Sequence, residues 1–184
     1  MTDQTAPADV ELFQLMLEDL HQELEGKLVR YRQLTELGRV LGESGTMVFG
    51  GMGAYTALVE ARSSFVHGNF IATIFLCQSL IENCLAGLLH LRAEELPLKI
   101  TFNETLARCE AIGILTADEV VDLKKLTAMR NPLTHFRNVS DPDNLTRRSM
   151  NAGLPAEDLL AEDAGFAIDI VMRVLAKRPF RVGR

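Results

Sequence analysis

The sequence predicts an all-α fold, a helical bundle of five or six helices, on three observations. Every long apolar segment repeats its hydrophobic positions at steps of three or four. No run of four to eight alternating β-branched residues occurs. Thr116-Ala117-Asp118-Glu119 has the form of a capping box, in which the threonine hydroxyl and the glutamate carboxylate each satisfy a backbone amide at a helix start. A chain of 184 residues suits one core. Its 47% hydrophobic content is that of a chain that folds unaided.

The first element runs from Asp9 to about Leu41, with Phe13, Leu17, Leu20, Leu24, Leu28, Tyr31, Leu34 and Leu37 on one stripe. Such a helix is about 50 Å long at ~1.5 Å per residue, more than a small bundle needs. Either part of the stripe packs on a second chain or the helix breaks near Gly26. The run Phe49 to Tyr55, FGGMGAY, has neither the lysine of a phosphate-binding loop nor a strand before it, and it reads as a flexible connection. Residues 1–53 thus form a long helix and a glycine-rich connection, and 54–184 a helical domain, the two making one compact unit.

A second helix is predicted over Tyr55 to Val66 and a third over Asn69 to about Glu94, with Asn69 as its N-cap. The third is apolar nearly all the way round, which marks the centre of the domain. Gln78 and Glu82 stand out on it one turn apart, so Glu82 lies either at the solvent edge or beside a cation inside. Thr101 to Ala111 reads as a short helix, and the helix opened by Thr116 continues through Val120, Leu123 and Leu126 to Arg130. Asn138 to Leu154 reads as a polar loop, Pro155 to Lys177 as the last amphipathic helix, and the tail KRPFRVGR as basic and mobile.

Charge and cysteine content narrow the function classes. The net charge of −6 argues against a protein that coats nucleic acid over its whole surface. The first sixty residues are acidic, whereas from 124 to 148 Lys124, Lys125, Arg130, Arg137, Arg147 and Arg148 outnumber Asp141 and Asp143. That basic stretch is either a solvated face or the footprint of an anionic partner. Cys77, Cys84 and Cys109 have no metal-site spacing and read as buried thiols, and His21, His67 and His90 are scattered, so no metal and no cofactor are expected. The acidic N-terminus lacks the pattern of a signal peptide, and Phe70 to Leu91 carries too many polar groups for a membrane span, so the expectation is a cytoplasmic protein with no membrane association.

The stretch AMRNPLTHFR, Ala128 to Arg137, carries the chemistry. Proline at 132 disfavours helix at Asn131, so the helix should stop or kink at Arg130. Asn131 can then cap a new turn with Pro132 at its first position, and the free amides of that turn would sit beside Arg130 and His135 as an anion site. Those groups suit either a plain helix stop, in which Arg130 pairs with an acid such as Glu82 and His135 caps a turn, or cleavage of RNA without a metal. Imidazole can take the proton of a ribose 2′-hydroxyl or protonate the leaving 5′-oxygen, while arginine holds two phosphate oxygens. One histidine per chain is one group short of an acid-base pair, and a dimer sharing a cleft would supply the second. The candidate catalytic residues are Arg130, Asn131 and His135, supported by Glu82, with Arg137, Arg147 and Arg148 as candidate RNA contacts.

An Arg-Asn-x-x-x-His motif closing a helix (RNPLTH), preceded by an apolar helix with a central acid (QSLIENCLAGLLH), resembles the HEPN superfamily, the higher eukaryote and prokaryote nucleotide-binding domains. The resemblance covers roughly Ala54 to Lys177, with the long first helix as an addition. It implies an all-α bundle, a symmetric homodimer with the motif at the interface and, in many members, metal-independent endoribonuclease activity serving toxin–antitoxin, CRISPR or antiphage systems. Such toxins pair with an antitoxin or a nucleotidyltransferase-like partner. Arg130, Asn131 and His135 match the motif residue by residue, and Glu82 matches the polar helix position loosely. Pro132 inside the motif departs from the pattern, and so does the lack of a tyrosine after His135, which one toxin subgroup carries. Other members bind RNA, nucleotides or proteins without cutting, and that is the alternative function the resemblance implies.

Overall fold

The computed structural model describes residues 9–92 and 95–182, and they are all-helical. Seven α-helices follow in order: α1 (Asp9–Gly38), α2 (Gly51–Val66), α3 (Phe70–Leu91), α4 (Phe102–Ala111), α5 (Ala117–Thr134), α6 (Leu145–Ala152) and α7 (Ala156–Leu175), with a 3₁₀ turn, Arg39–Leu41, extending α1. The count exceeds five or six because the expected loop 138–154 contains α6. The predicted end of α3, Glu94, lies outside the described residues.

α3 is the axis of the molecule. It packs against α2, α4, α5 and α7, and Ile74, Cys77, Leu80, Ile81, Cys84, Leu85 and Leu89 are fully buried. Each such aliphatic side chain contributes about 1.5–3 kcal/mol of burial, so the all-round apolar pattern becomes the bulk of the core. Among the described residues α3 is the one helix long and apolar enough to cross a membrane by length and composition, and 50% of that stretch is buried in the bundle. Burial pushes the Cys84 thiol up to about 12, although its Sγ donates to the Phe49 carbonyl at 3.2 Å.

The capping box at α5 forms as predicted. Thr116 Oγ1 accepts from the Glu119 amide at 3.3 Å and Glu119 Oε2 from the Thr116 amide at 2.8 Å. The same carboxylate takes Lys177 Nζ of the last turn after α7 at 2.6 Å, and Arg173 on α7 reaches Asp122 on α5 at 2.9 Å. These pairs join α5 to α7 side by side. Asn69 takes the N-cap position of α3, but without a side-chain cap bond.

Two expectations for the connections are overturned. FGGMGAY is a tight crossing, with α2 starting early at Gly51. Gly50 holds φ 90° and lies so close to α3 that a Cβ there would stand 2.6 Å from the Asn83 carbonyl oxygen. A Cβ on Gly87 would stand 2.5 Å from the Gly50 nitrogen. Two glycines permit this approach of backbone to backbone. Gly87→Ala is therefore expected to destabilise the protein by about 1–3 kcal/mol, the range for overpacking a core. Gly53→Ala, with open space around its Cβ, serves as the neutral or slightly stabilising control in urea melts.

The tail is docked as far as Val182. The Phe180 carbonyl accepts from the Met47 amide at 2.6 Å and from Thr46 Oγ1 at 3.0 Å, Thr46 bridges Arg181, and the Phe180 ring lies 5.4 Å from Phe49. Phe180 is fully buried, and removing an aromatic ring from water outweighs the charge of the neighbouring basic residues.

α1 does not break at Gly26. One glycine costs about 1 kcal/mol, which a 30-residue helix absorbs. Its C-terminal part is anchored by Arg30, whose Nε donates to the Val66 carbonyl at 2.9 Å and whose guanidinium lies over Phe70. The apolar stripe is exposed from Val10 onward and reaches the core at Leu34.

Candidate functional site

α5 passes through Pro132 and ends at Thr134, with His135 as its C-cap in extended backbone. The predicted stop at Arg130 is thus corrected. A proline this close to a helix end removes one hydrogen bond, to the carbonyl four residues earlier. Met129 is buried on that turn and Leu133 packs against the core, so tertiary contact keeps the last turns helical. No new helix starts at Asn131. Its carbonyl accepts from Thr134 Oγ1 at 3.0 Å and from the His135 amide at 3.3 Å. The corner therefore presents carbonyls, the negative end of the helix dipole, which favours a cation such as that of Arg130 and leaves anion binding to side chains.

Arg130 is half-buried and turned toward α3. Its guanidinium carbon lies 5.7 Å from the Phe75 ring centroid, and its Nη1 donates a long bond, 3.4 Å, to Asn131 Oδ1. Glu82 faces the same space. Burial pushes its carboxyl above the usual range, and the Arg130 charge and the Gln78 amide pull it back only in part. The open question of Glu82 resolves as both answers at once, a half-buried acid in the field of a cation. Gln78 is itself buried, and its Oε1 has no hydrogen-bond partner.

His135 is exposed, and Phe136 beside it is 93% exposed. Among the described residues no hydrogen bond joins Arg130 to His135; the two share one helix end, each bonded to Asn131. Of the three candidate RNA contacts, Arg147 alone is exposed. Arg137 pairs with Asp141 at 3.0 Å, and Arg148 grips the buried Asp163 with two bonds of 2.8 and 3.0 Å. Asn144 caps α6 by accepting from the Thr146 and Arg147 amides and also donates to the Arg137 carbonyl.

Two hollows flank this end of α5. An open apolar groove of about 690 Å³ runs along α3 past Phe70, Ile71, Ala72 and Phe75 to Glu157 and Leu160 on α7. It meets the Arg130 corner at Phe75. A smaller recess of about 180 Å³ lies against Lys125, Met129, Pro132, Asp143 and Arg148.

No family model, no curated protein and no solved structure matches the chain. Geometry alone therefore defines the corner. Sequence reasoning missed Phe75, the platform under Arg130, although its spacing of seven from Glu82 places both on one face of α3. It also missed Asp163, which no local pattern ties to Arg148.

Proposed function

We propose that the chain is a metal-independent endoribonuclease of HEPN type, acting in the cytoplasm as the toxin or effector of a toxin–antitoxin or antiphage system. One observation carries this reading: RNPLTH closes α5 with a half-buried arginine held against Phe75 and Glu82 and an exposed histidine one turn on. In the reaction a ribose 2′-oxygen bonds to phosphorus, losing its proton to a neutral imidazole, and the bond from phosphorus to the 5′-oxygen breaks as a protonated imidazole supplies the leaving group's proton. Arg130 would hold the phosphate oxygens as charge builds on them. Because each chain offers one such histidine, the acid and the base come from two copies in a homodimer. Arg147 and Lys125 are the cations best placed to lengthen the RNA path, since Arg137 and Arg148 are paired within the chain.

The second reading is a non-catalytic module that binds RNA, a nucleotide or an antitoxin-like protein. The apolar groove beside Phe75 favours it. Incubating the purified protein with labelled single-stranded RNA in EDTA separates the two. The endoribonuclease cuts in the chelator, because its acid, base and phosphate clamp are side chains. Intact RNA across a panel of sequences, bound with micromolar or better affinity, would transfer the case to the binding module.

A further inference from the structure

Every residue of α1 from Asp9 to Glu25 is exposed. Val10, Phe13, Met16, Leu17, Leu20 and Leu24 are between 48% and 68% exposed, covered only by their own helix. In proteins most helical stability comes from the packing of an apolar face, and this half of α1 has none among the described residues of its own chain. Counted in heptads with Val10 at a, the stripe is Val10, Leu17, Leu24 and Tyr31 at a and Phe13 and Leu20 at d, the pattern of a two-stranded seam as far as Lys27, which takes the next d position and pairs with Glu23 of its own helix. The same seam enters the chain's own core at Leu34, also a d position.

We propose that the exposed half of α1 is a dimerisation arm whose occupant is the arm of a second copy, paired antiparallel. Three observations select that occupant. The acids Glu11, Glu18 and Glu25 fall at b and Asp19 at c, on the outer face, so two seams meet without bringing like charges together. In the antiparallel register that sets Leu17 against Leu20 and Phe13 against Leu24, the edges pair Gln14 with His21 and Met16 with Glu23. Lys27 then faces Val10 of the other copy next to Asp9, while it keeps Glu23 of its own helix as a partner, so the apolar layers from Phe13 to Leu24 set the register. The available area also approaches what is needed: the six side chains named above, with Leu28, present on the order of 100 Å² each, against the ~800 Å² that one partner gives to a standard interface. Antiparallel pairing is further required by the bundle, which occupies the seam side of α1 beyond Arg30 and would collide with its copy in a parallel pair. This inference does not rest on the ribonuclease reading.

The test is the mass in solution by sedimentation equilibrium, with crosslinking for register. The wild type should have twice the 20.4 kDa chain mass, and Leu17→Glu/Leu20→Glu should be monomeric with its thermal transition intact. Glu18→Gln, on the outer face, should stay dimeric. Phe13→Cys and Leu24→Cys proteins, mixed and oxidised, should crosslink to each other and not to themselves. A monomeric wild type, a dimer that survives the double substitution, or crosslinking of either cysteine variant to itself would overturn the proposal. A monomeric wild type would also remove the second histidine of the ribonuclease reading, whereas a dimer that survives the double substitution, or self-crosslinking of either cysteine variant, would overturn the arm and leave that reading standing.

Discussion

His135→Ala is expected to lower the rate of RNA cleavage by at least about 10²–10⁴, the usual contribution of one positioned general acid or base, since in a homodimer the substitution removes both, while leaving the melting temperature unchanged. Both halves follow from where the residue sits. The imidazole is exposed beyond the end of α5, and the bond this residue does make, from its amide to the Asn131 carbonyl, belongs to the backbone and survives the substitution. Arg130→Ala differs, because it removes the phosphate clamp, uncovers Phe75 and takes from Glu82 the cation that lowers its pKa. That variant should lose affinity as well as turnover, and the Glu82 carboxyl should titrate at still higher pH. Single-turnover cleavage beside differential scanning calorimetry measures both. Equal cleavage by wild type and His135→Ala would place the activity elsewhere in the sample.

Arg148→Ala is expected to destabilise the fold by about 3 kcal/mol, the lower end of the range for breaking a buried ion pair. For a chain of this size that is a fall in melting temperature of roughly 6–12 °C. Asp163 is only 7% exposed, and both of its oxygens are bonded by Arg148. Removing the arginine strands that charge, whereas the double variant Arg148→Ala/Asp163→Leu removes both charges and should recover most of the loss. The lower end applies because Arg148 keeps 28% of its side chain in solvent. Arg147→Ala, at an exposed position on the same helix, should leave stability alone and weaken RNA binding, with a shallower salt dependence. A thermal shift of a degree or less for Arg148→Ala would show that α6 is held by something other than this pair.

What the sequence revealed divides along the range of the forces involved. The Thr116 and Glu119 box, the apolar circumference of α3 and the short helix capped by Thr101 were legible because each signal lies within one turn or one helix. Pro132 misled because its local preference is real but small at a helix end, where the packing of Met129 and Leu133 decides. α6 escaped notice because eight residues carry too little periodicity, and its fixed point is a contact to Asp163, 15 residues on. The docked tail depends on Thr46, 134 residues before Phe180. Of the site, Arg130, Asn131, His135 and Glu82 were legible as residue types in a pattern. The orientation of Arg130 toward Phe75 is a product of how α5 lies on α3.

The position of α3 at the centre also dictates how the protein is made. Its apolar circumference is closed in part by α7, the last helix among the described residues. At roughly 5–20 residues per second, the roughly 80 residues between Leu91 and Leu175 occupy the ribosome for about 4–16 s. During that time a nascent chain of α1, α2 and α3 displays the side chains that later form the core, with the arm of α1 exposed besides. The packing around α3 is therefore completed late in synthesis, once α7 has been made and Phe180 closes onto Phe49.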